Sequence, residues 1–229
     1  MRDDRPSLML FAAGFGTRMR PLTDDRPKPL VEVAGRPLID HALGLAAGQT
    51  GRVVANLHYR APQLEVHLAP LGVTTILETP EILDTGGGLR NALPLLGGGP
   101  VLTLNTDAIW RGGNPLAALR AAFDPARMDA LLMLVRPEDA LGHAGRGDFA
   151  MDAGGRLTRG PGHIYSGAQM IRTEGLRDIP DRVFSLNRLW DRMIEDGRLF
   201  GIVHRGRWCD VGHPESIELA ESLLERPDV

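Results

Sequence analysis

Ser7-Leu8-Met9-Leu10-Phe11-Ala12-Ala13-Gly14-Phe15-Gly16-Thr17-Arg18 joins an unbroken apolar run to a turn with two glycines. A strand without a polar face is buried on both sides, the situation of a parallel sheet covered by helices. Working outward, 52–57, 73–77, 100–105 and 130–135 repeat the same type of strand. Between them, 36–48, 61–68, 88–96 and 115–123 carry helical patterns, the first opening with Pro37 in its first turn. Strand–helix alternation predicts an α/β fold with a mostly parallel central sheet. Beyond Arg136 the pattern shifts to short segments at 148–151, 156–159 and 163–171, a small antiparallel elaboration. A helix at 186–195, a strand at 198–203 and a helix at 214–224 complete the expectation. No repeat or linker interrupts the chain, so 1–229 is expected to form a single domain.

Composition narrows the function. The 229 residues are 43% hydrophobic and 24% charged, and a chain of this length can bury about 70% of its surface. The net charge of −3 comes without a basic stripe, which argues against nucleic acid and membrane surfaces as partners. Cys209 is the only cysteine, so neither an internal disulfide nor a Cys-rich zinc site can form. The apolar run behind Met1–Pro6 stops at Gly14, too short for a signal peptide or a span, and the cytoplasm is the expected compartment.

Of the 26 basic residues, 25 are Arg and one is Lys, Lys28. A compact ammonium fits between phosphate oxygens where a planar guanidinium does not, which marks Lys28 on chemistry alone. It lies in Arg26-Pro27-Lys28-Pro29-Leu30, shortly after the glycine turn Gly14-Phe15-Gly16-Thr17-Arg18-Met19-Arg20. Backbone N–H groups of such a turn can cradle phosphate oxygens, with Arg18, Arg20 and Lys28 adding full charges. The set suits a triphosphate that loses pyrophosphate. Met19 stands where a dinucleotide fingerprint needs glycine, and no Gly-Lys-Ser/Thr closes a Walker loop.

Asp107, in Leu104-Asn105-Thr106-Asp107, stands at the carboxyl end of a buried strand, where ligands of such sheets bind. Asp210, in Trp208-Cys209-Asp210-Val211-Gly212, is its natural partner on one hard cation. Alone, each reads as an ordinary cap or turn residue. Asp84-Thr85-Gly86-Gly87-Gly88 reads either as a loop whose backbone meets a flat base or as a helix start capped by Thr85. In Gly145-Arg146-Gly147-Asp148-Phe149, Asp148 can accept from a sugar and Arg146 can meet an anion, unless the segment is only a hairpin edge. His143, His163, His204 and His213 lack metal-ligand spacing and read as surface or supporting residues. Tyr165-Ser166-Gly167 lacks the setting of a nucleophile elbow, so covalent catalysis is not expected.

The string from Leu10 through Thr23 and Pro27-Lys28-Pro29-Leu30 resembles the signature of sugar-1-phosphate nucleotidylyltransferases, with Asp107 and Asp210 where that family carries its two magnesium aspartates. The resemblance covers nearly the whole chain. It implies a three-layer Rossmann-like nucleotidyltransferase domain, nucleotide-binding over about 1–135 and sugar-binding and closing over about 136–229. Short length, Thr85-Gly86-Gly87-Gly88, Gly145–Phe149 and the Arg205–Gly212 string are most similar to the uridylyltransferase branch of peptidoglycan recycling. That implies UTP, Mg2+ and N-acetylmuramate 1-phosphate, with dTTP and glucose 1-phosphate, GTP and mannose 1-phosphate, or a non-catalytic nucleotide-sugar-binding module as alternatives. The residues implied for the nucleotide are Ala12, Ala13, Gly14, Gly16 and Thr17, then Arg18, Lys28, Thr85, Gly86 and Gly87. Arg18, Lys28 and Asp107 would be catalytic, and Asp107 and Asp210 would hold the metal. Asn105, Asp148, Arg146 and Arg205 would bind the sugar 1-phosphate, with Asn105 and Asp148 at the sugar. Thr106 replaces a glycine usual before the metal aspartate, and no second lysine is present for the sugar phosphate, where Arg146, Arg205 or Arg207 could substitute. A monomer or weak dimer is expected.

Overall fold

A computed structural model describes residues 5–225; residues 1–4 of the N-terminal stretch read above for a leader lie outside it. In chain order the strands are β1 (Leu8–Phe11), β2 (Glu32–Val33), β3 (Arg36–Pro37), β4 (Val53–Leu57) and β5 (Thr74–Leu77). They continue as β6 (Val101–Asn105), β7 (Ala108–Gly112), β8 (Ala130–Val135), β9 (Ala140–Leu141) and β10 (Phe149–Met151). The last are β11 (Leu157–Arg159), β12 (Ile164–Ile171), β13 (Leu199–Val203) and β14 (Gly206–Asp210). Helices are α1 (Leu38–Ala46), α2 (Ala61–Leu68), α3 (Asp84–Leu96), α4 (Pro115–Ala122), α5 (Asn187–Glu195) and α6 (Glu215–Glu225).

Seven strands form the central sheet in the order β13-β8-β12-β6-β1-β4-β5. Pairing is parallel except for β12, which runs antiparallel to both β6 and β8. Leu8 of β1 aligns with Val53 on one side and Leu102 on the other. The absence of a polar face in β1 now has its cause. Leu8 and Leu10 enter a core covered by α1, α2 and α4, while Met9 enters the opposite core under α3 and α5. Each fully buried Leu or Met contributes roughly 1.5–3 kcal/mol. The α/β expectation with a mostly parallel sheet holds, and β12 and β13 carry the later part of the chain into the same sheet.

Three local expectations need correction. The helix expected over 36–48 is Leu38–Ala46, because Arg36 and Pro37 pair with Val33 and Glu32 in a small hairpin. The helix expected over 88–96 starts at Asp84 and takes the glycine triplet into its first turns. A further three-stranded sheet, β7-β14-β9, was not expected at all. Its strands Ala-Ile-Trp-Arg-Gly and Gly-Arg-Trp-Cys-Asp mix apolar, glycine and arginine positions and resemble loops when read singly. Paired antiparallel, they set Trp110 against Trp208 and Arg111 against Arg207. The outward face of this sheet packs on α6 through Ile109, Cys209, Val211, Ala220 and Leu223.

Cys209 lies in that layer and is fully buried. Burial, and secondarily the negative charge of Asp210, push its thiol up to about 12. The reactive species is the thiolate. The folded protein should therefore leave Ellman's reagent unreacted at pH 8 and titrate one thiol after denaturation; prompt labelling of the folded chain would contradict this packing. Among the described residues, no helix is long and apolar enough to cross a membrane.

Candidate active site

β1 ends at Phe11, and the chain turns at the carboxyl edge of the sheet. The turn is fixed by glycine geometry. Gly16 is left-handed at φ 64°, and a Cβ there would lie 2.8 Å from the Cβ of Lys28. No other residue allows both. Thr23 Oγ1 donates to the Gly16 carbonyl at 2.9 Å, and the Met19 N–H donates to the same carbonyl at 2.9 Å to close the short turn Thr17–Met19. Ala12, Ala13 and Gly14 line a cleft of ≈ 240 Å³ together with Lys28, Asn56, Thr85, Asn105 and Asp107. A Cβ on Gly14 would meet nothing within 4 Å, so its backbone faces open space.

Beneath the turn is a buried relay that the sequence reading missed. Ala12 N–H donates to Asn56 Oδ1 at 2.9 Å, Asn56 Nδ2 donates to Glu78 Oε1 at 2.7 Å, and Leu83 N–H donates to Glu78 Oε2 at 2.7 Å. Asn56 and Glu78 are almost inaccessible, so each bond replaces water that burial removed. The Ala12 N–H is thereby committed to the fold. A polar residue near the end of the apolar strand Val53–Leu57 was the available signal.

Lys28 starts a turn over Lys28–Leu30, and its Nζ donates to Asp107 Oδ2 at 2.8 Å with the Lys28 side chain only 12% exposed. Asp107 follows β6 by two residues, and Asp210 ends β14. Antiparallel pairing aligns Asp210 with Ala108, and the Val211 N–H donates to the Asp107 carbonyl at 2.9 Å. The unexpected third sheet is thus what brings the two aspartates together. A Cβ on Gly212 would lie 3.1 Å from Asp210 Oδ2 and 3.4 Å from an Arg18 guanidinium nitrogen, which places Arg18 beside the pair. The Asp210 carboxyl is held above its ordinary range first by burial and then by the Asp107 charge, with Lys28, Arg18 and His143 opposing. Among the described residues no group of three or more metal-type side chains gathers; Asp107 and Asp210 stand as a pair of neighbouring carboxylates.

Thr106 lines the cleft floor with its hydroxyl turned to the sheet. It is buried, and its Oγ1 donates to the Phe11 carbonyl at 2.9 Å, tying β6 to the end of β1.

Of the two readings of the glycine triplet, the structure has the helix start. The N–H groups of Gly86 and Gly87 both donate to the Phe184 carbonyl, at 2.9 and 3.0 Å, so neither is free for a base. Thr85 accepts from the Leu186 N–H at 3.0 Å instead of capping the helix. The glycines are there because residues 182–186 lie against the helix: a Cβ on Gly87 would sit 2.5 Å from the Arg182 carbonyl oxygen. Alanine would gain about 1 kcal/mol of helix propensity. Overpacking against backbone costs roughly 1–3 kcal/mol and should win. Gly87→Ala is therefore expected to lower the urea midpoint, whereas Gly98→Ala, with nothing within 4 Å of its Cβ, should leave it unchanged. Equal effects at both positions would contradict the packing argument.

On the opposite wall, Gly167 (φ 86°) at the bulge in β12 lies against Asn105, and a Cβ there would be 2.8 Å from the Asn105 side chain. Asp148 Oδ2 accepts from the Tyr165 N–H at 2.8 Å, which puts Asp148 at this same carboxyl end of β6. Arg146 is exposed on the loop leading to it. Arg205 is not part of the site. It precedes β14, whereas Asp210 ends it, five steps of extended strand and about 16 Å farther on. Arg207 is three positions from Asp210 and so faces the other side of that sheet. Neither replaces a second lysine.

Comparison with known proteins agrees with this architecture. Residues 8–150 match the family described as MobA-like NTP transferase domain. An N-acetylmuramate alpha-1-phosphate uridylyltransferase of Caulobacter vibrioides is 44% identical, over 94% of this chain and 96% of its own length. The enzyme of the same name from Neisseria meningitidis serogroup B is 36% identical, over 94% and 96%. A solved structure of a putative glucose-1-phosphate thymidylyltransferase from Bacillus anthracis superposes with a TM-score of 0.81 at 15% identity, covering 97% of this chain and 96% of that one. At that identity the likeness is one of fold.

Proposed function

The chain belongs to the MobA-like NTP transferase family, and from that premise we propose that it joins UTP and N-acetylmuramate 1-phosphate to give the UDP-sugar and pyrophosphate. The observation that carries the chemistry is the ion pair of Lys28 with Asp107, set beside Asp210 and Arg18 at the mouth of a cleft walled by the glycine turn. The choice of uracil and of the muramoyl sugar is supported by the names of the 44% and 36% identical relatives. The reading makes the protein a cytoplasmic uridylyltransferase of cell-wall recycling.

In the proposed reaction a phosphate oxygen of the sugar 1-phosphate forms a bond to the α-phosphorus of UTP. The bond from that phosphorus to the bridging oxygen breaks, and pyrophosphate leaves with the electron pair. The nucleophile is already an anion, so no side chain has to remove a proton. Catalysis is then positioning and charge neutralisation. Lys28 neutralises the α-phosphate as the two anions close, and Arg18 holds the departing phosphates. Main-chain groups of Gly14, Gly16 and Thr17 line the phosphates, and Asn105 and Asp148 orient the sugar.

The aspartates fit a divalent cation, which we take as Mg2+. Burial, and then the Asp107 charge, raise the Asp210 carboxyl, and a hard cation with oxygen ligands would relieve that while keeping places for phosphate oxygens. When bound, such an ion screens the repulsion between the two substrates. Pyrophosphate release from UTP and N-acetylmuramate 1-phosphate should therefore stop with EDTA and return with excess Mg2+. Undiminished release in EDTA would sink the metal assignment.

A further inference from the structure

Two anions that meet need opposing charge on both sides, and a phosphate monoester carries about −1.5 to −2. The cations placed so far, Lys28 and Arg18, lie on the nucleotide side, and Lys28 already answers Asp107. The facing wall is the loop 142–148, which links β9 to Asp148 and carries a histidine without a role.

Two glycines pin this loop. Gly142 (φ 70°) lies hard against the Asp210 carbonyl oxygen, where a Cβ would have no space. Gly147 (φ 89°) packs on Gly162, with a Cβ only 2.5 Å from its carbonyl oxygen. His143 is thereby held next to the end of β14. Its ring centroid is 6.3 Å from that of Trp208, which shares a face of β14 with Asp210 two residues on. Gly145 roofs the imidazole, with a Cβ that would be 2.9 Å from Nε2.

The same wall holds unfilled polar atoms. Trp208 is only 5% exposed, and its Nε1–H has no hydrogen-bond partner among the described residues. Nδ1 of His163 is likewise buried and unpartnered, in the residue whose carbonyl accepts from the Asp148 N–H at 2.7 Å. Buried polar atoms left unpaired are uncommon.

We propose that His143 is the phosphate-binding residue of the sugar side, its imidazole N–H donating to the phosphate of the sugar 1-phosphate and aiming it at the α-phosphorus. The assignment rests on the uridylyltransferase reading. It gives the incoming phosphate its own donor, so that Lys28 need not bind it alone. Arg146, exposed farther along the loop, serves the rim of the site and not the phosphate.

The test is steady-state kinetics of wild type, His143→Ala, His143→Gln, His143→Lys and Arg146→Ala with UTP, Mg2+ and N-acetylmuramate 1-phosphate. His143→Ala and His143→Gln should raise KM for the sugar 1-phosphate about tenfold to a hundredfold, the range for a hydrogen bond to a charged group, with KM for UTP unchanged. His143→Lys should restore most of that loss, which repair of a purely structural defect would not do. An unchanged sugar KM in both His143→Ala and His143→Gln, parallel rises for both substrates, or a loss confined to Arg146→Ala would overturn the assignment. A wild-type protein that releases no pyrophosphate removes the uridylyltransferase reading and this inference with it. Normal wild-type turnover with indifferent His143 variants removes the inference alone.

Discussion

Replacing Lys28 with alanine is expected to lower turnover about a thousandfold, the loss typical of removing one preorganised group that meets developing charge. The expectation rests on geometry. Lys28 is the only lysine, its stem is enclosed against Gly16, and its Nζ is 2.8 Å from Asp107. Lys28→Arg should rescue little, because a planar guanidinium does not reproduce the compact ammonium that meets Asp107 at 2.8 Å. Both variants should keep a native circular dichroism spectrum, since the core clusters do not include this side chain. Near-normal turnover of Lys28→Ala would remove it from the reaction.

Asp210→Asn should separate stability from activity. Its carboxyl is held above the ordinary range by burial and by Asp107, so the ionised form works against folding. For a carboxyl whose folded pKa is raised, stability falls as pH climbs from the unfolded value through the folded one, then stays level. Below that window both states are protonated and no penalty exists. Asparagine carries no such penalty. Asp210→Asn should therefore melt higher than wild type at neutral pH in EDTA, lose that advantage in acid, and turn over at least about a hundredfold more slowly with Mg2+. A lower melting temperature at neutral pH would mean that Asp210 has a stabilising partner the geometry does not show.

Much of the fold was legible because burial writes itself into sequence. Ala130–Val135 matches its expected bounds, being an apolar run with no polar face and a charged residue on each side. The glycine turn and Lys28 were legible for another reason, since few structures need two close glycines and a lone ammonium together. The third sheet was hidden. Ala108–Gly112 and Gly206–Asp210 acquire their strand character only from each other, through Trp110–Trp208 and Arg111–Arg207. Asp107 and Asp210 could be named by type, but their closeness is a property of that pairing.

The errors have equally local causes. Glycine disfavours a helix by about 1 kcal/mol per residue, so Gly86–Gly88 left a loop and a helix start both open; contact with residues 182–186, nearly a hundred positions away, decides for the helix. Arg205 is close to Asp210 in sequence, yet an extended strand carries it to the other end of the sheet. His143 shows no spacing motif, and only the pinned glycines on either side reveal where it stands.

The central claim is the transfer of a uridylyl group to one sugar 1-phosphate. Its most direct measurement is pyrophosphate release with Mg2+, pairing UTP, GTP, dTTP and ATP with N-acetylmuramate, N-acetylglucosamine, glucose and mannose 1-phosphates. The account predicts release with UTP and N-acetylmuramate 1-phosphate, with the other pairs far slower. Preferred release with another pair would contradict the substrate assignment, and silence across the panel from a folded protein that binds nucleotide would contradict the reaction itself.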